Sequence, residues 1–570
     1  MRRIHLSESN LLAAVAVAIG AAGGLAAVAL QSLIDGTETF SRWTVGHLEP
    51  WLGRFAIGLA PVLGALVAGP IIYRLAIEAK GHGVPEVMEA VVLHGGRIRS
   101  RVAVIKALAS AVTIGTGGSA GREGPIAQIG ASLGSTAAGL LRMSEQRTRT
   151  LVAAGAAAGI AAAFNAPLAG VFFALEVILQ RFTTRGFATV VLSAVTASAV
   201  WRIFRGNAPV FRVALYTLEH PVELVFYLGL GLLAALVAIV FVEALYWIED
   251  RFDAIHPIPQ DLRPAVGAVV VGLCGAASPF LLGTGIRGID SALGGELAMG
   301  TLLLLLAGKV VATSFTLGSG ASGGVFSPSL FMGAMLGAVY GTLLGHLFPG
   351  FVAPPTAYAM VGMGAVFAGA AQAPITSILI LFEMTNDYRI ILPLMLACVA
   401  STLLYSAVRR ETIYTGKLVR RGVELTQGRE RHLLESIPVT RAVSNNYATI
   451  EGDATVDAMA AVLDGSTAPC IVVTMEGDRF LGLVLPETVH EALAAGNGDP
   501  SELVQRDVPV ARADESLDDA LRRLAVRGLD VLPVLDSSRR VLGVATRDTL
   551  LRAYWNALGE TGRGTGHRPG

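Results

Sequence analysis

The chain has 570 residues, of which 53% are hydrophobic, 66 are glycine and only 15% are charged, a composition too apolar for a soluble globular protein. Lysine and arginine balance aspartate and glutamate at 44 each, so no global basic field invites nucleic acid as a partner. Cys274, Cys398 and Cys470 are scattered and odd in number, which argues against a disulfide framework and against a metal knuckle.

Arg2 and Arg3 precede an apolar run over about 11–30. That run can cross roughly 30 Å of hydrocarbon at ~1.5 Å per residue, whereas the apolar core of a signal peptide is shorter, so it is read as the first membrane helix. Apolar segments follow near 51–75, 102–114, 126–141, 151–179, 188–203, 222–247, 265–282, 297–315, 330–347, 358–382 and 390–407. Several are too short to span or are cut by Gly and Pro, which predicts tilted and re-entrant helices in an all-α polytopic domain over 1–421. Arg2 and Arg3 at one end, and Arg409, Arg410, Lys417, Arg420 and Arg421 at the other, place both ends in the cytoplasm by the positive-inside rule. An even number of crossings follows from that placement.

Two glycine-rich segments interrupt this apolar sequence, Gly117 to Pro125 and Gly318 to Pro328. Irregular backbone at membrane depth is tolerated only where it is buried in protein or lines a polar cavity. The segments belong to an internal repeat. Pro125 and Pro328 each open Pro-x-x-x-x-Gly-Ala-x-Leu-Gly, while Asn165-Ala166-Pro167 and Gln372-Ala373-Pro374 run with equal spacing to Glu176 and Glu383. Broken helices at matching positions of two halves point to a transport site near the midplane. The repeat is expected to be inverted, which sequence alone does not show. Glu123 is the carboxylate inside the first segment, and an intramembrane carboxylate is functional by default because burying it is costly. Glu176 and Glu383 read as acceptors at helix ends.

Charged residues become frequent after about Arg421, which marks a soluble α/β domain over 422–558 with modules at about 437–497 and 505–558. Residues 455–463 and 517–526 read as amphipathic helices, with Leu517, Ala520, Leu521, Leu524 and Ala525 on one face. Paired strands follow each, 470–474 with 480–485 and 531–535 with 541–545, and then another helix. The Gly- and Arg-rich tail 559–570 is expected to be disordered.

The membrane part resembles the CLC family of chloride channels and proton/chloride antiporters. It matches Gly-Arg-Glu-Gly-Pro at Gly121 to Pro125, Gly-x-Phe-x-Pro at Gly324 to Pro328 and, more loosely, Gly-x-Gly-x-Pro at Gly81 to Pro85. The soluble part resembles a tandem pair of cystathionine-beta-synthase (CBS) modules, most specifically at Gly543-Val544-Ala545-Thr546-Arg547-Asp548. The resemblance implies chloride or another small anion as substrate, a homodimer with a pore in each subunit, and a multi-pass location in a bacterial inner membrane. It implies Glu123 as the gate, and His82, Gly121, Arg122, Gly124, Val325, Phe326 and Tyr414 as the anion-binding set. Physically, helix N-termini offer free N–H groups and the positive end of a dipole to an anion that leaves water. No cofactor is required and no catalytic set is read. The CBS pair is expected to regulate, with adenine nucleotide as a candidate ligand at Thr546 and Asp548.

Two departures from the family pattern carry consequences. His82 stands where chloride-selective members usually have Ser, which opens the choice among chloride, nitrate and fluoride. Val177 stands where the family's antiporters carry a second acidic residue that relays protons; it favours passive conduction, with a proton-coupled antiporter using another route as the alternative. Two other classes fit less well. A CBS-bearing metalloprotease needs His-Glu-x-x-His, and His490-Glu491-Ala492-Leu493-Ala494 lacks the second His. A CBS-linked cation transporter needs clustered membrane carboxylates, which are few and separate here.

Overall fold

A computed structural model of the chain describes residues 8–180, 186–208, 210–211, 220–423, 434, 437–475, 479–495, 499–527 and 530–562. The chain divides into two compact units, Met1–Val423 and Glu424–Gly570.

The first unit is helical throughout and is an integral, multi-pass membrane domain. Among the described residues, seven helices are long and apolar enough to cross a bilayer, and shorter apolar helices accompany them at Pro167–Ile178, Pro355–Ala371 and Pro374–Thr385. The first helix is much longer than its apolar run suggests, because Glu8–Leu52 is continuous over about 67 Å. Its second half holds together through partners four residues apart. Gln31 donates to Asp35 and Arg42 to Glu38, and the helix gives out only near Gly53, whose φ is +54°.

The Pro-x-x-x-x-Gly-Ala-x-Leu-Gly pattern has a packing purpose. The helix Glu123–Leu140 lies against Glu145–Phe164, and Phe326–Leu347 against Pro355–Ala371, each pair at backbone contact. A Cβ on Gly130 would stand 2.1 Å from the Gly155 carbonyl oxygen, and one on Gly333 would stand 2.1 Å from that of Gly362. Gly134 meets Leu151 and Gly337 meets Tyr358 in the same way. Without a hydrophobic driving force between helices in lipid, such close approach supplies the cohesion.

The two halves also cap each other. Asn165 and Gln372 end their helices in the left-handed region, at φ +53° and +54°, and the next helices start at Pro167 and Pro374. Glu383 accepts from the Leu168 and Ala169 N–H groups at 3.0 and 2.8 Å. Glu176 accepts from those of Ile375 and Thr376 at 3.2 and 2.8 Å, and from the Thr376 hydroxyl at 2.7 Å. Each half thus supplies the anionic partner for the other half's helix N-terminus, the helix-end role expected of both residues.

The second unit holds two sheets of equal topology. Strands β1 (Ala448–Glu451), β2 (Ile471–Met475) and β3 (Arg479–Val484) form one; β4 (Ala511–Arg512), β5 (Val531–Leu535) and β6 (Val541–Thr546) form the other. In each the first pair is parallel and the second antiparallel, with a bulge after Val473 and after Val534. The modules are not consecutive stretches as 437–497 and 505–558 imply. Ile437, Val439 and Ala442 pack in the core of the second module, beside Leu517, Leu532 and Leu550, while Leu503 and Val504 pack in the core of the first. The reason is apolar complementarity plus pairing, since Ser444 bridges Val544 and Gln505 bridges Leu483. Leu517, Ala520 and Leu524 are buried as the helical face requires, but Ala525 is exposed. Cys470 lies between the sheets with Val472, Val531 and Val544, and burial pushes its thiol up to about 12. The last helix, Arg547–Gly562, takes in residues 559–562 of the expected tail, since a started helix gains a hydrogen bond per added residue; residues 563–570 lie outside the described residues.

Candidate functional site

Three loops meet inside the membrane unit through their backbones. The Gly81 N–H donates to the Ala321 carbonyl at 3.1 Å and the Gly323 N–H to the Gly81 carbonyl at 3.3 Å. Gly121 and Gly324 exchange both bonds, at 2.8 and 2.6 Å, in an antiparallel bridge. These two glycines each stand four residues before the repeat's proline, Pro125 or Pro328. Copies that pair antiparallel here are related by a local two-fold rotation, which agrees with the inverted repeat expected from the sequence.

The loops deliver helix starts to one place. Glu123 opens the helix Glu123–Leu140 and Phe326 opens Phe326–Leu347. The first N–H groups of a helix have no acceptor within it and carry the positive end of its dipole. A cavity between them is lined by His82, Glu123, Gly124, Val325, Phe326 and Tyr414, with Val84, Ile160 and Phe173 completing the wall, and a water-sized sphere finds no room in it. Glu123 is 1% exposed, and its carboxylate lies beside Ser327 and the Gly121–Gly324 pair at the edge of this space. One of its oxygens accepts from the Ser327 hydroxyl and the other has no hydrogen-bond partner.

His82 is 2% exposed, and neither ring nitrogen has a hydrogen-bond partner. A buried imidazole in that condition is costly unless something comes to meet it. Its loop is held in place from behind. Gly81 and Gly83 adopt φ of +76° and +83°, and the buried Lys106 ammonium donates to the Ala79 and Gly81 carbonyls at 3.0 and 2.7 Å. A Cβ on Gly124 would stand 2.0 Å from the His82 carbonyl oxygen, so only glycine lets this loop approach the helix start. The Tyr414 ring lies 6.0 Å from the His82 ring and edge-on to Phe173 at 6.5 Å. Tyr246 anchors the Tyr414 segment by donating to the Ile413 carbonyl at 2.7 Å. Beyond it, Lys417 pairs with Glu86 at 2.8 Å, tying the helix after Tyr414 to the helix after His82.

Two of the anticipated anion ligands are placed otherwise. The Arg122 guanidinium turns away from the cavity, donates to Gln31 and to the Ala163 carbonyl, and lies over the Trp201 ring, because the side chain preceding the helix start points to the opposite side from Glu123. The Gly121 N–H is committed to the Gly324 carbonyl and is not free for an ion. Val177 is buried on a π-helical turn, Ala174–Ile178, outside the cavity wall, and Glu176 on the same turn is engaged with Thr376. No carboxylate of that helix is among the residues lining the cavity. Thr546 caps the last helix, with reciprocal bonds to Thr549, and Asp548 pairs with Arg552 at 2.7 Å on an exposed surface.

Sequence reasoning passed over Ser327, Lys106 and Lys309. A signal for the lysines existed, since Lys106 stands nineteen residues before Pro125 and Lys309 nineteen before Pro328. Among the described residues no group of three or more His, Cys, Asp or Glu is placed to hold a metal ion.

Residues 64–406 match a family model described as voltage gated chloride channel, and residues 501–556 match the CBS domain. A ClcB-like chloride channel protein of Ralstonia nicotianae is 36% identical over 420 residues, covering 71% of this chain and 96% of that protein. The H(+)/Cl(-) exchange transporter ClcA of Vibrio parahaemolyticus is 33% identical over 414 residues, covering 70% of this chain and 87% of its own. Among solved structures, a slow cyanobacterial Cl-/H+ antiporter superposes with a TM-score of 0.67 at 28% identity, over 72% of this chain and 97% of that one.

Proposed function

The chain belongs to the CLC family of voltage gated chloride channels, with C-terminal CBS domains, and we propose that it moves small inorganic anions, chloride foremost, along a path that the Glu123 carboxylate closes. The observation that carries this reading is the cavity itself. Two helix starts converge on it, and an unpartnered imidazole and a buried carboxylate with one unpartnered oxygen line it. His82, Gly124, Val325, Phe326 and Tyr414 form the anion-binding set, with the His82 ring N–H as a donor where the family's chloride-selective members place a hydroxyl. Glu123 leaves the site when it is protonated or outcompeted.

The transport is passive in this reading, because Val177 cannot hold a proton and no carboxylate on its helix lines the cavity. A second reading, proton-coupled exchange, is favoured by the relatives described as exchangers. The protein acts as a homodimer with one path per subunit in a bacterial inner membrane, both termini cytoplasmic; a complete cavity within one chain supports the separate paths. The CBS modules regulate, with adenine nucleotide at Thr546 and Asp548. Simultaneous recording of chloride and proton flux in liposomes separates the readings. A chloride gradient that drives no uphill proton movement supports the channel; steady proton pumping at a fixed ratio, lost in Glu123→Gln, establishes the exchanger.

A further inference from the structure

The first helix, Glu8–Leu52, keeps one exposed face along much of its length. Leu25, Leu33, Phe40, Trp43, His47 and Trp51 follow one another on it at steps of three, four, seven or eight residues, the spacing of a single helical face. The helix is long and apolar enough to cross a bilayer, and past Leu33 the face that carries its exposed leucines turns aromatic. The Phe40 and Trp43 rings stand 6.0 Å apart and those of Trp43 and His47 4.4 Å apart. Phe40, Trp43 and Trp51 are 66%, 60% and 87% exposed.

The opposite side of this half is held by protein. Ile34 is buried, and a Cβ on Gly115 would stand 3.0 Å from the Ile34 carbonyl oxygen and 2.6 Å from the Thr37 Cβ. Asp35 pairs with Arg205 at 3.0 Å and Glu38 with Arg287 at 3.1 Å, so these carboxylates meet cations from other helices. Among the described residues, the aromatic ring contacts of Phe40, Trp43 and His47 are only with one another.

Gln31 gives the height of the stripe. It accepts from Arg122, the neighbour of Glu123, and a transport site of this kind sits near the bilayer midplane. From the midplane the hydrocarbon extends ~15 Å and the headgroups end at about 20–22 Å. Trp43 lies twelve residues beyond Gln31 and Trp51 twenty, ~18 and ~30 Å along the axis at ~1.5 Å per residue. A lean of roughly 40°, the steep end of the range for membrane helices, puts Trp43 ~14 Å and Trp51 ~23 Å from the midplane. Those depths are the hydrocarbon edge and the headgroup zone, where an aromatic ring with a polar N–H is favoured.

We propose that the second half of the first helix is a lipid-anchoring surface, docked through Phe40, Trp43 and Trp51 onto phospholipid at the edge of the bilayer. The basic start of the chain and the basic segment after Tyr414 share the cytoplasmic face in the reading above, so the anchor lies on the opposite face. Its depth rests on the anion-transport reading, which sets Glu123 near the midplane; its contact with lipid does not.

The test uses the full chain in phosphatidylcholine vesicles whose acyl chains carry bromine either near the ester groups or near the methyl ends. Tryptophan emission is compared for wild type, Trp43→Phe and Trp51→Phe, with wild-type elution in size-exclusion chromatography showing that each variant is folded. The emission lost in Trp43→Phe is expected to be quenched by ester-side bromine more than by chain-end bromine. The emission lost in Trp51→Phe is expected to be more open to aqueous iodide than that of Trp43. Trp43 emission open to iodide and untouched by either bromine puts the stripe in water and overturns the proposal. Trp43 emission shielded from all three quenchers means that protein, such as a second copy of the chain, covers the face, and overturns it equally; so does stronger quenching from the chain ends than from the ester side. If the wild-type protein passes no anions and Trp43 is still quenched from the ester side, the transport reading fails and the anchor stands.

Discussion

Replacing Glu123 with Gln tests the gate with the least change of shape. The amide can still bond Ser327, so what disappears is the charge. A hydrogen bond to a charged group contributes ~1.5–3 kcal/mol against ~1 for a neutral pair, a loss of about 1 kcal/mol. The carboxylate also sits between the starts of Glu123–Leu140 and Phe326–Leu347, each worth ~0.3–1 kcal/mol to an anion. Together about 2–3 kcal/mol of preference for the closed position is removed, which shifts the closed-to-open ratio roughly 30- to 150-fold. Chloride efflux from liposomes, followed with an ion-selective electrode, should rise by a factor of that order at neutral pH. Wild-type flux should climb toward the mutant's as the solution is acidified and Glu123 gains its proton, while the mutant's stays nearly flat. A mutant with wild-type rate and wild-type pH dependence refutes the reasoning and removes Glu123 from the gate.

His82→Ser exchanges a ring N–H for a shorter hydroxyl at the cavity wall and should change the chloride-to-nitrate or chloride-to-fluoride permeability ratio in reversal-potential measurements; unchanged ratios among all three ions would return His82 to a packing role. Glu176→Gln and Glu383→Gln each weaken a carboxylate cap on the opposite half's helix. Thermal denaturation in detergent should show both less stable by about 2–4 kcal/mol, Glu176→Gln the more so because it serves three donors against two. ATP added to the full chain should protect the soluble domain from proteolysis, and Asp548→Asn should abolish the protection; equal digestion with and without ATP leaves the modules without that ligand.

The architecture was legible where residues have to break a rule to be there. Glycine-rich breaks inside apolar sequence, twice at equal spacing and once with a carboxylate, point to a lined path, and the cavity gathers most of the site residues that the family resemblance implied. The direction of the copies was not legible, because a repeat reads the same in sequence whichever way its halves face; the antiparallel pairing of Gly121 with Gly324 was needed. Arg122 was misplaced because adjacency to Glu123 in sequence says nothing about which side of a helix start a side chain takes. The second half of the first helix escaped because its stability comes from polar partners four apart, not from an apolar stripe. The interleaving of the soluble modules rests on long-range pairing, such as Gln505 with Leu483, that no local pattern announces.

The glycine contacts at Gly130, Gly155, Gly333 and Gly362 bear on speed. Helices locked at backbone contact leave no slack for one layer to slide on another, so the starts at Glu123 and Phe326 are fixed posts. With Glu123 as the proposed gate, passage of an ion would wait only on the swing of that side chain about its torsions. Rotamer changes take picoseconds to nanoseconds when unhindered, whereas the rocking of packed halves takes microseconds to milliseconds. The ceiling on throughput is therefore set by the depth of the well that Ser327 and the helix starts make for one carboxylate, and a substitution that makes this well shallower raises the rate without loosening the frame around it.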